Sequence, residues 1–331
     1  MTMSWLFRRL LLLFAIVITA ATLNFILPQL SPNNPLEAKM LELAETGGSA
    51  GDVSGLVASY EEKFGLNDPL YVQYFKYVTG LLTFDMGYSI AFYPAEVSDL
   101  IAGALPWTIG LLLVTTLIAF GIGIVLGSLV AWERAPGFIK GLAPALMMLS
   151  ALPYYLFGLI LIYFLAFIWK IFPLQGGYSL ISIPGWSWSF VGDVLYHSIL
   201  PALSIILTSI GTWMLSARGM MIMVRGEDYM VYSEANGLKP RRRFLNFAMR
   251  NTLLPQVTAL ALQLGHIAAG AVLVERVFGY PGIGMLLFQA IEQSDYFLIY
   301  GIVYIIILMI AVMMFILDLV YPLLDPRIRN E

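Results

Sequence analysis

Long apolar runs separated by short polar clusters dominate the pattern along this chain. A helix crosses a bilayer core about 30 Å thick with roughly 20 mostly apolar residues. Six stretches reach that length: Trp5 to Leu27, Pro106 to Trp132, Leu142 to Ile168, Tyr196 to Val224, Thr252 to Val274 and Phe297 to Tyr321. The pattern predicts an all-α, polytopic membrane protein with six transmembrane helices. Barrel strands would alternate apolar and polar residues, whereas Leu111 to Val130 is continuously apolar apart from small residues and two threonines. The first stretch is entered through Arg8 and Arg9 and has no clear Ala-x-Ala site after it. It is longer than a signal-peptide core and is expected to be an uncleaved anchor.

Composition supports this reading. Of 331 residues, 60% are hydrophobic and 12% charged, whereas a soluble domain carries about 25% charged residues. That charge is too sparse to cover a water-facing surface, which excludes a soluble enzyme, and the chain is too apolar to be disordered. A net charge of −3 argues against nucleic acid as main partner. With no cysteine, disulfides, thiolate metal sites, cysteine nucleophiles and iron–sulfur clusters are excluded.

Basic residues orient the spans. With six spans and both termini on one side, that side holds 13 of the 18 Lys and Arg: Arg8, Arg9, Arg134, Lys140, Arg218, Arg225, Lys239, Arg241, Arg242, Arg243, Arg250, Arg327 and Arg329. The other side holds Lys39, Lys63, Lys76, Lys170 and Arg276. The basic side faces the cytoplasm, so both termini are expected there. The resulting organisation is an N-terminal helix (1–27), an external segment (28–105), a five-helix core (106–322) with a cytoplasmic loop at 225–251, and a tail (323–331). The external segment predicts amphipathic helices near Glu37–Glu45 and Leu70–Leu82, either as a cap for an external partner or as a packing insert. In the external loop Lys170–Leu195, Trp186 and Trp188 suit the headgroup level.

The loop 225–251 is the most informative segment. Counting Arg218 at its edge, it carries seven basic residues. Its first part predicts a helix stopped by Gly237, since glycine accepts the positive φ of a helix end. Pro240 suits the first turn of a second helix. Phe244, Phe247 and Ala248 then share one face. The product is a helix–turn–helix with a basic rim, which is either a docking knob or a solvated loop bearing positive-inside charge.

Candidate chemistry is sparse. No Gly-x-x-x-x-Gly-Lys-Ser/Thr phosphate loop occurs, and His197 and His266 lack a His-Glu-x-x-His zinc pattern. Neither a bound cofactor nor a metal is expected. His266 and Gln263 fall in the fifth stretch, where polar side chains face the bundle or a cavity. Pro153, Tyr154 and Tyr155 interrupt the third. Tyr154, Gln263 and His266 are the pathway candidates, with packing as the alternative for each. Gly123 and Gly127 allow a neighbouring helix to approach closely, in this chain or in a partner.

Several motifs together resemble the dipeptide/oligopeptide branch of binding-protein-dependent ABC importer permeases. They are Asp228-Tyr229, Ala235-Asn-Gly-Leu238, the run Arg241 to Arg243, and Arg250-Asn-Thr-Leu-Leu-Pro255. Gly65-Leu-Asn-Asp-Pro-Leu70 with Val72-Gln-Tyr74, Phe84-Asp-Met-Gly-Tyr-Ser89, Phe278-Gly-Tyr-Pro-Gly-Ile-Gly284, Asp295-Tyr296, Gly301 and Leu324-Asp-Pro-Arg-Ile-Arg329 follow the same branch. The general superfamily's Glu-Ala-Ala is absent, Val231, Tyr232 and Ser233 standing there, and Asn33-Asn34-Pro35 replaces a usual Gly-Asp-Pro. The resemblance implies a type I importer permease in the inner (cytoplasmic) membrane. It implies a second homologous permease, two ATPase subunits carrying ATP and magnesium, and an external solute-binding protein. It assigns ATPase coupling to Asp228, Tyr229, Ser233, Glu234, Ala235, Asn236, Gly237, Leu238, Lys239, Pro240, Arg241, Arg242 and Arg243. Short peptides are the favoured substrate, with oligosaccharides as the alternative. Of the rival classes, a self-sufficient transporter or channel would need deep ionisable residues, of which few occur, Asp318 and Arg218 falling near the cytoplasmic end, and a membrane enzyme would need a catalytic constellation, which is not found.

Overall fold

The computed structural model describes residues 3–29, 68–133, 136–265 and 272–324. Two compact units divide the chain: Met1–Pro106 with Gly282–Phe315, and Trp107–Pro281 with Ile316–Glu331. Among the described residues there is no strand, only an isolated antiparallel bridge between Tyr88 and Glu96.

The helices are α1 (Met3–Gln29), α2 (Leu70–Thr83), α3 (Val97–Ala131), α4 (Gly137–Ser150) and α5 (Tyr154–Leu161), which runs on as a π-helix over Ile162–Ile168. Next come α6 (Trp188–Arg225), α7 (Asp228–Ala235) and α8, which covers 240–265 and includes a π-helical stretch, Arg243–Met249. Then follow α9 (Val272–Phe278), α10 (Ile283–Glu292) and α11 (Tyr296–Leu324). Four helices among the described residues are long and apolar enough to cross a membrane: α1 over Phe7–Ile26, α3, α6, and α11 over Tyr296–Ile316. The bent pair α4–α5 makes a fifth if counted as one.

Differences from the sequence expectations have local causes. The third predicted span breaks into α4 and α5, bent by 104°. Pro153 accounts for the break, because a proline pushes the residue before it out of the helical region. Helix α3 starts at Val97 and α6 at Trp188, well before the apolar stretches that predicted them. Polar first turns carry both helices past bilayer length. Asp99 lies in the first turn of α3, where the helix dipole favours an acid, and the Ser187 hydroxyl caps α6 by accepting from Phe190 N. The predicted helix at Leu70–Leu82 is observed as α2, and the one at Glu37–Glu45 lies outside the described residues. The fifth predicted span is helical at each end, in α8 and α9, and its middle, 266–271, lies outside them as well.

In the first unit, α2 packs on α1 and α11. Val17, Ala21, Leu81, Tyr304 and Ala311 form one buried cluster. Above it Asn24 Nδ2 donates to the Tyr300 carbonyl (3.1 Å) and to the Tyr77 hydroxyl (3.2 Å), inside a ring cluster of Phe25, Tyr77 and Tyr300. A second cluster joins the start of α3 to α10 and α11 through Val97, Ile101, Ile283, Leu298 and Ile302.

In the second unit α6 is the spine. A Cβ on Gly123 of α3 would press on Trp213 Cβ, and one on Gly127 would collide with the Met214 carbonyl oxygen. Gly211 of α6 meets the Leu146 carbonyl of α4 in the same way. The small-residue stripe Gly123–Gly127 therefore serves a neighbour within this chain. Overpacking such a contact costs about 1–3 kcal/mol. Gly127→Leu is expected to lower the melting temperature of the purified protein by several degrees. Gly121→Ala, whose Cβ would meet nothing within 4 Å, should leave it unchanged.

Candidate functional site

The end of α6 carries a knob made from α7 and the first turns of α8. Its interior is apolar: Ala131, Met221, Val224, Met230 and Ala248 are buried together, with Trp132, Phe244 and Phe247 against them. Phe244, Phe247 and Ala248 thus point into one cluster, as their spacing requires. Trp132 meets Phe244 edge-on at 5.1 Å. Arg225, the last residue of α6, bonds the Ala131 carbonyl (2.6 Å), pairs with Glu133 and lies 5.8 Å from the centre of the Trp132 ring. The knob is thereby fixed to the ends of both α3 and α6.

The turn between α7 and α8 is set by backbone chemistry. Gly237 sits at φ +69°. Its N–H donates to the Glu234 carbonyl (2.8 Å), and the Leu238 N–H reaches back to the Ser233 carbonyl (3.2 Å). This pair of bonds satisfies carbonyls that the end of a helix leaves open, and it needs a left-handed residue where glycine is least strained. Pro240 follows at the first position of α8. The Arg243 side chain, 12% exposed, ties the two arms by pairing with Glu234 at 2.7 Å.

The predicted coupling residues take different places. Asp228, Tyr229, Glu234, Ala235, Asn236, Gly237, Lys239, Arg241 and Arg242 are exposed on the knob, and Leu238 and Pro240 are half-buried. Ser233 is buried, its hydroxyl donating to the Met230 carbonyl (2.7 Å). Ser233 and Arg243 therefore shape the knob from inside, while the others form its surface. The Tyr229 hydroxyl accepts from Asn251 Nδ2 at 2.9 Å, so the Asp-Tyr and Arg-Asn motif segments meet. Val231 and Tyr232, 63% and 72% exposed, add an apolar patch beside the basic residues. Sequence reasoning missed them as surface, although charge-free residues on a short exposed helix are the available signal. It also missed the clamp of Arg225, Trp132 and Glu133.

Of the pathway candidates, Tyr154 and Gln263 lie among the described residues. Tyr154 opens α5 at 40% exposure, Gln263 is exposed on α8, and no hydrogen bond or ring contact joins the two. His266 lies outside the described residues. His197, predicted at a span boundary, is buried, with Nδ1 2.9 Å from the Asp193 carbonyl oxygen and 3.2 Å from its carboxylate. That carboxylate also accepts from Ser179 N, Ser179 Oγ and Ser182 Oγ. It pins the base of a loop on which Trp186 stands fully exposed, and Trp188, the first residue of α6, is exposed beside it. No group of metal-ligating side chains occurs among the described residues.

Two further motif clusters assemble, one in each unit. In the first unit the Asp295 carboxylate caps α11 through Leu298 N (3.1 Å) and accepts from Ser89 Oγ and Ala91 N. Beside it a Cβ on Gly301 would clash with Val97 and press on Met86. In the second unit Tyr280 meets Trp107 edge-on at 5.6 Å and bonds Ser198 Oγ at 3.0 Å. There Thr108 Oγ1 also donates to the fully buried Glu275 at 2.7 Å.

The family model for the binding-protein-dependent transport system inner membrane component matches residues 123–330. The chain belongs to this family. It is a membrane-spanning transport subunit and not an enzyme. It is 31% identical over 326 residues to a probable peptide ABC transporter permease protein of Sinorhizobium fredii, covering 98% of this chain and 99% of that protein. It is 32% identical to the oligopeptide transport system permease protein AppB of Bacillus subtilis (98% and 99% covered). It is 29% identical to the dipeptide transport system permease protein DppB of Escherichia coli K12 (99% of each covered).

The ion pair across the turn is directly testable. Glu234→Ala leaves the Arg243 guanidinium largely buried without its carboxylate, at a cost of about 1–3 kcal/mol. Hydrogen exchange at the Gly237 and Leu238 amides should accelerate at least about tenfold, which corresponds to about 1.4 kcal/mol. Exchange unchanged from the parent would show that the pair does not hold the turn.

Proposed function

We propose that this permease forms half of the path by which short peptides are imported, driven by ATPase subunits that dock on the α7–α8 knob. The observation carrying this reading is the knob itself. It is packed on an apolar interior, fixed to the ends of α3 and α6, and carries an exposed Val231–Tyr232 patch beside Lys239, Arg241 and Arg242. Such a projection transmits force, because a partner that moves the knob also moves two long helices. The peptide assignment is supported by the names of the three relatives above.

In this reading the chain crosses the membrane six times with both termini in the cytoplasm. It pairs with a second homologous permease and receives peptide from an external solute-binding protein. ATP and magnesium belong to the partner subunits. ATP binding draws the two ATPases together, the docked knobs follow, and the spans rock from inward-open to outward-open. The chain's own contribution is positional: Gly237 and Pro240 set the turn, Glu234 and Arg243 hold it, and the exposed residues make the contact.

Two outcomes test this. Gly237→Trp forces a bulky side chain into a left-handed backbone, costing about 1–2 kcal/mol locally. It also changes the docking surface. Uptake of labelled di- and tripeptides by the assembled transporter should fall at least about tenfold, the loss expected where docking no longer couples. ATP hydrolysis should persist. Uptake equal to the parent, with normal assembly, overturns the docking role. The parent transporter should also accumulate peptides and not oligosaccharides; the reverse preference overturns the substrate.

A further inference from the structure

Helix α2 shows three distinct faces. Tyr74, Tyr77 and Leu81 turn inward: the Tyr74 hydroxyl bonds Thr22 Oγ1 (2.7 Å), Tyr77 bonds Asn24, and Leu81 is buried with Val17 and Ala21 of α1. Roughly opposite lie Lys76, Thr79 and Thr83. Between these faces stand Tyr71, Phe75 and Leu82, exposed by 71%, 71% and 56%. At 100° per residue these three and Val78 fall within about 60° of arc, an apolar stripe largely uncovered among the described residues.

Depth identifies what covers the stripe. Ala21 and Val17 lie five and nine residues inside the end of the α1 span at Ile26, which is about 8–14 Å along the helix. Leu81 shares their cluster, so the second half of α2 lies alongside the buried part of a span. The support on which α2 packs also offers an apolar outer surface, with Ile16 and Leu23 each 56% exposed and Ile26 43%. The polar face is compatible with this depth. Thr79 and Thr83 hydroxyls donate back to carbonyls of α2 itself, and the Lys76 ammonium pairs with the Asp68 carboxylate at 2.6 Å. Threonine hydroxyls satisfied within their own helix need no water.

We propose that α2 is a half-membrane helix seated in the outer leaflet, with Tyr71, Phe75 and Leu82 against lipid acyl chains. This rests on the topology given under Proposed function, in which the C-terminal end of α1 is external. It replaces a water-exposed cap with a lipid-facing element for this part of the external segment.

The chain has no cysteine, so spin labels can be placed singly at Phe75→Cys, Leu82→Cys, Thr79→Cys and, as reference, Leu23→Cys on α1. The assembled transporter is placed in phosphatidylcholine–phosphatidylglycerol nanodiscs. Label accessibility to oxygen, which partitions into lipid, is compared with that to a water-soluble nickel chelate. The oxygen-to-nickel ratio at Phe75, Leu82 and Thr79 should match Leu23 to within about twofold, as for a helix at acyl-chain depth. A ratio favouring nickel at Phe75 and Leu82, with Leu23 still favouring oxygen, overturns the proposal and restores a watery cap. Shielding from both reagents overturns it in favour of a protein partner. A Leu23 label favouring nickel removes the membrane placement of α1, and the proposal falls with it.

Discussion

Backbone approaches α6 so closely that only glycine fits at the crossings. Gly123 and Gly127 let α3 lie against Trp213 and Met214, and Gly211 lets α4 reach in from another side. Side chains at these positions would separate the helices, and the apolar clusters around Ala119, Ala143, Leu146, Ile210 and Met214 would open. Between membrane helices there is no hydrophobic drive toward association, because lipid tails are as apolar as leucine. Close van der Waals packing must supply the attraction, and small residues make it possible. The rest of the second unit is arranged around this grip.

The grip gives the candidate site its mechanical meaning. Helix α6 has 38 residues, about 57 Å of helix against a bilayer core of about 30 Å. It is therefore longer than one crossing needs. One end holds Asp193 with its serine ligands and His197, and the other ends in Arg225, clamped on Trp132 and Glu133. The knob of α7 and α8 is built directly on that clamp. In the proposed docking, displacement of the knob is carried into this rod, which α3 and α4 grip around Ile210 and Met214.

Most of the fold was readable where one physical rule acted alone. Apolar length located α1, α3, α6 and α11, and period gave α2 to within one residue of its observed end. The knob was legible because Gly237, Pro240 and the Phe244–Phe247–Ala248 spacing each carry a backbone or facial requirement that no neighbour overrides. Helix starts were not, because apolar counting ignores polar turns such as those at Val97 and Trp188. The 104° bend was only half legible: Pro153 marked the place, but the angle depends on what the two halves pack against. Within the site, sequence could not separate surface from support. Ser233 and Arg243 look as polar as Asn236 and Arg242, and only the burial of Ser233 on the Met230 carbonyl and the pairing of Arg243 with Glu234 distinguish them. The convergence of Ser89 on Asp295, and of Tyr229 on Asn251, is likewise a tertiary fact without a local signature.

In the proposed function the exposed face of the knob meets an ATP-hydrolysing partner. Replacing Tyr232 with a photo-reactive phenylalanine analogue and irradiating native membranes tests it most directly. A covalent adduct with an ATPase subunit is expected, with a yield that changes when ATP is replaced by ADP. Adducts confined to lipid or to this chain itself, with the ATPase subunits present in the same membranes, would contradict it.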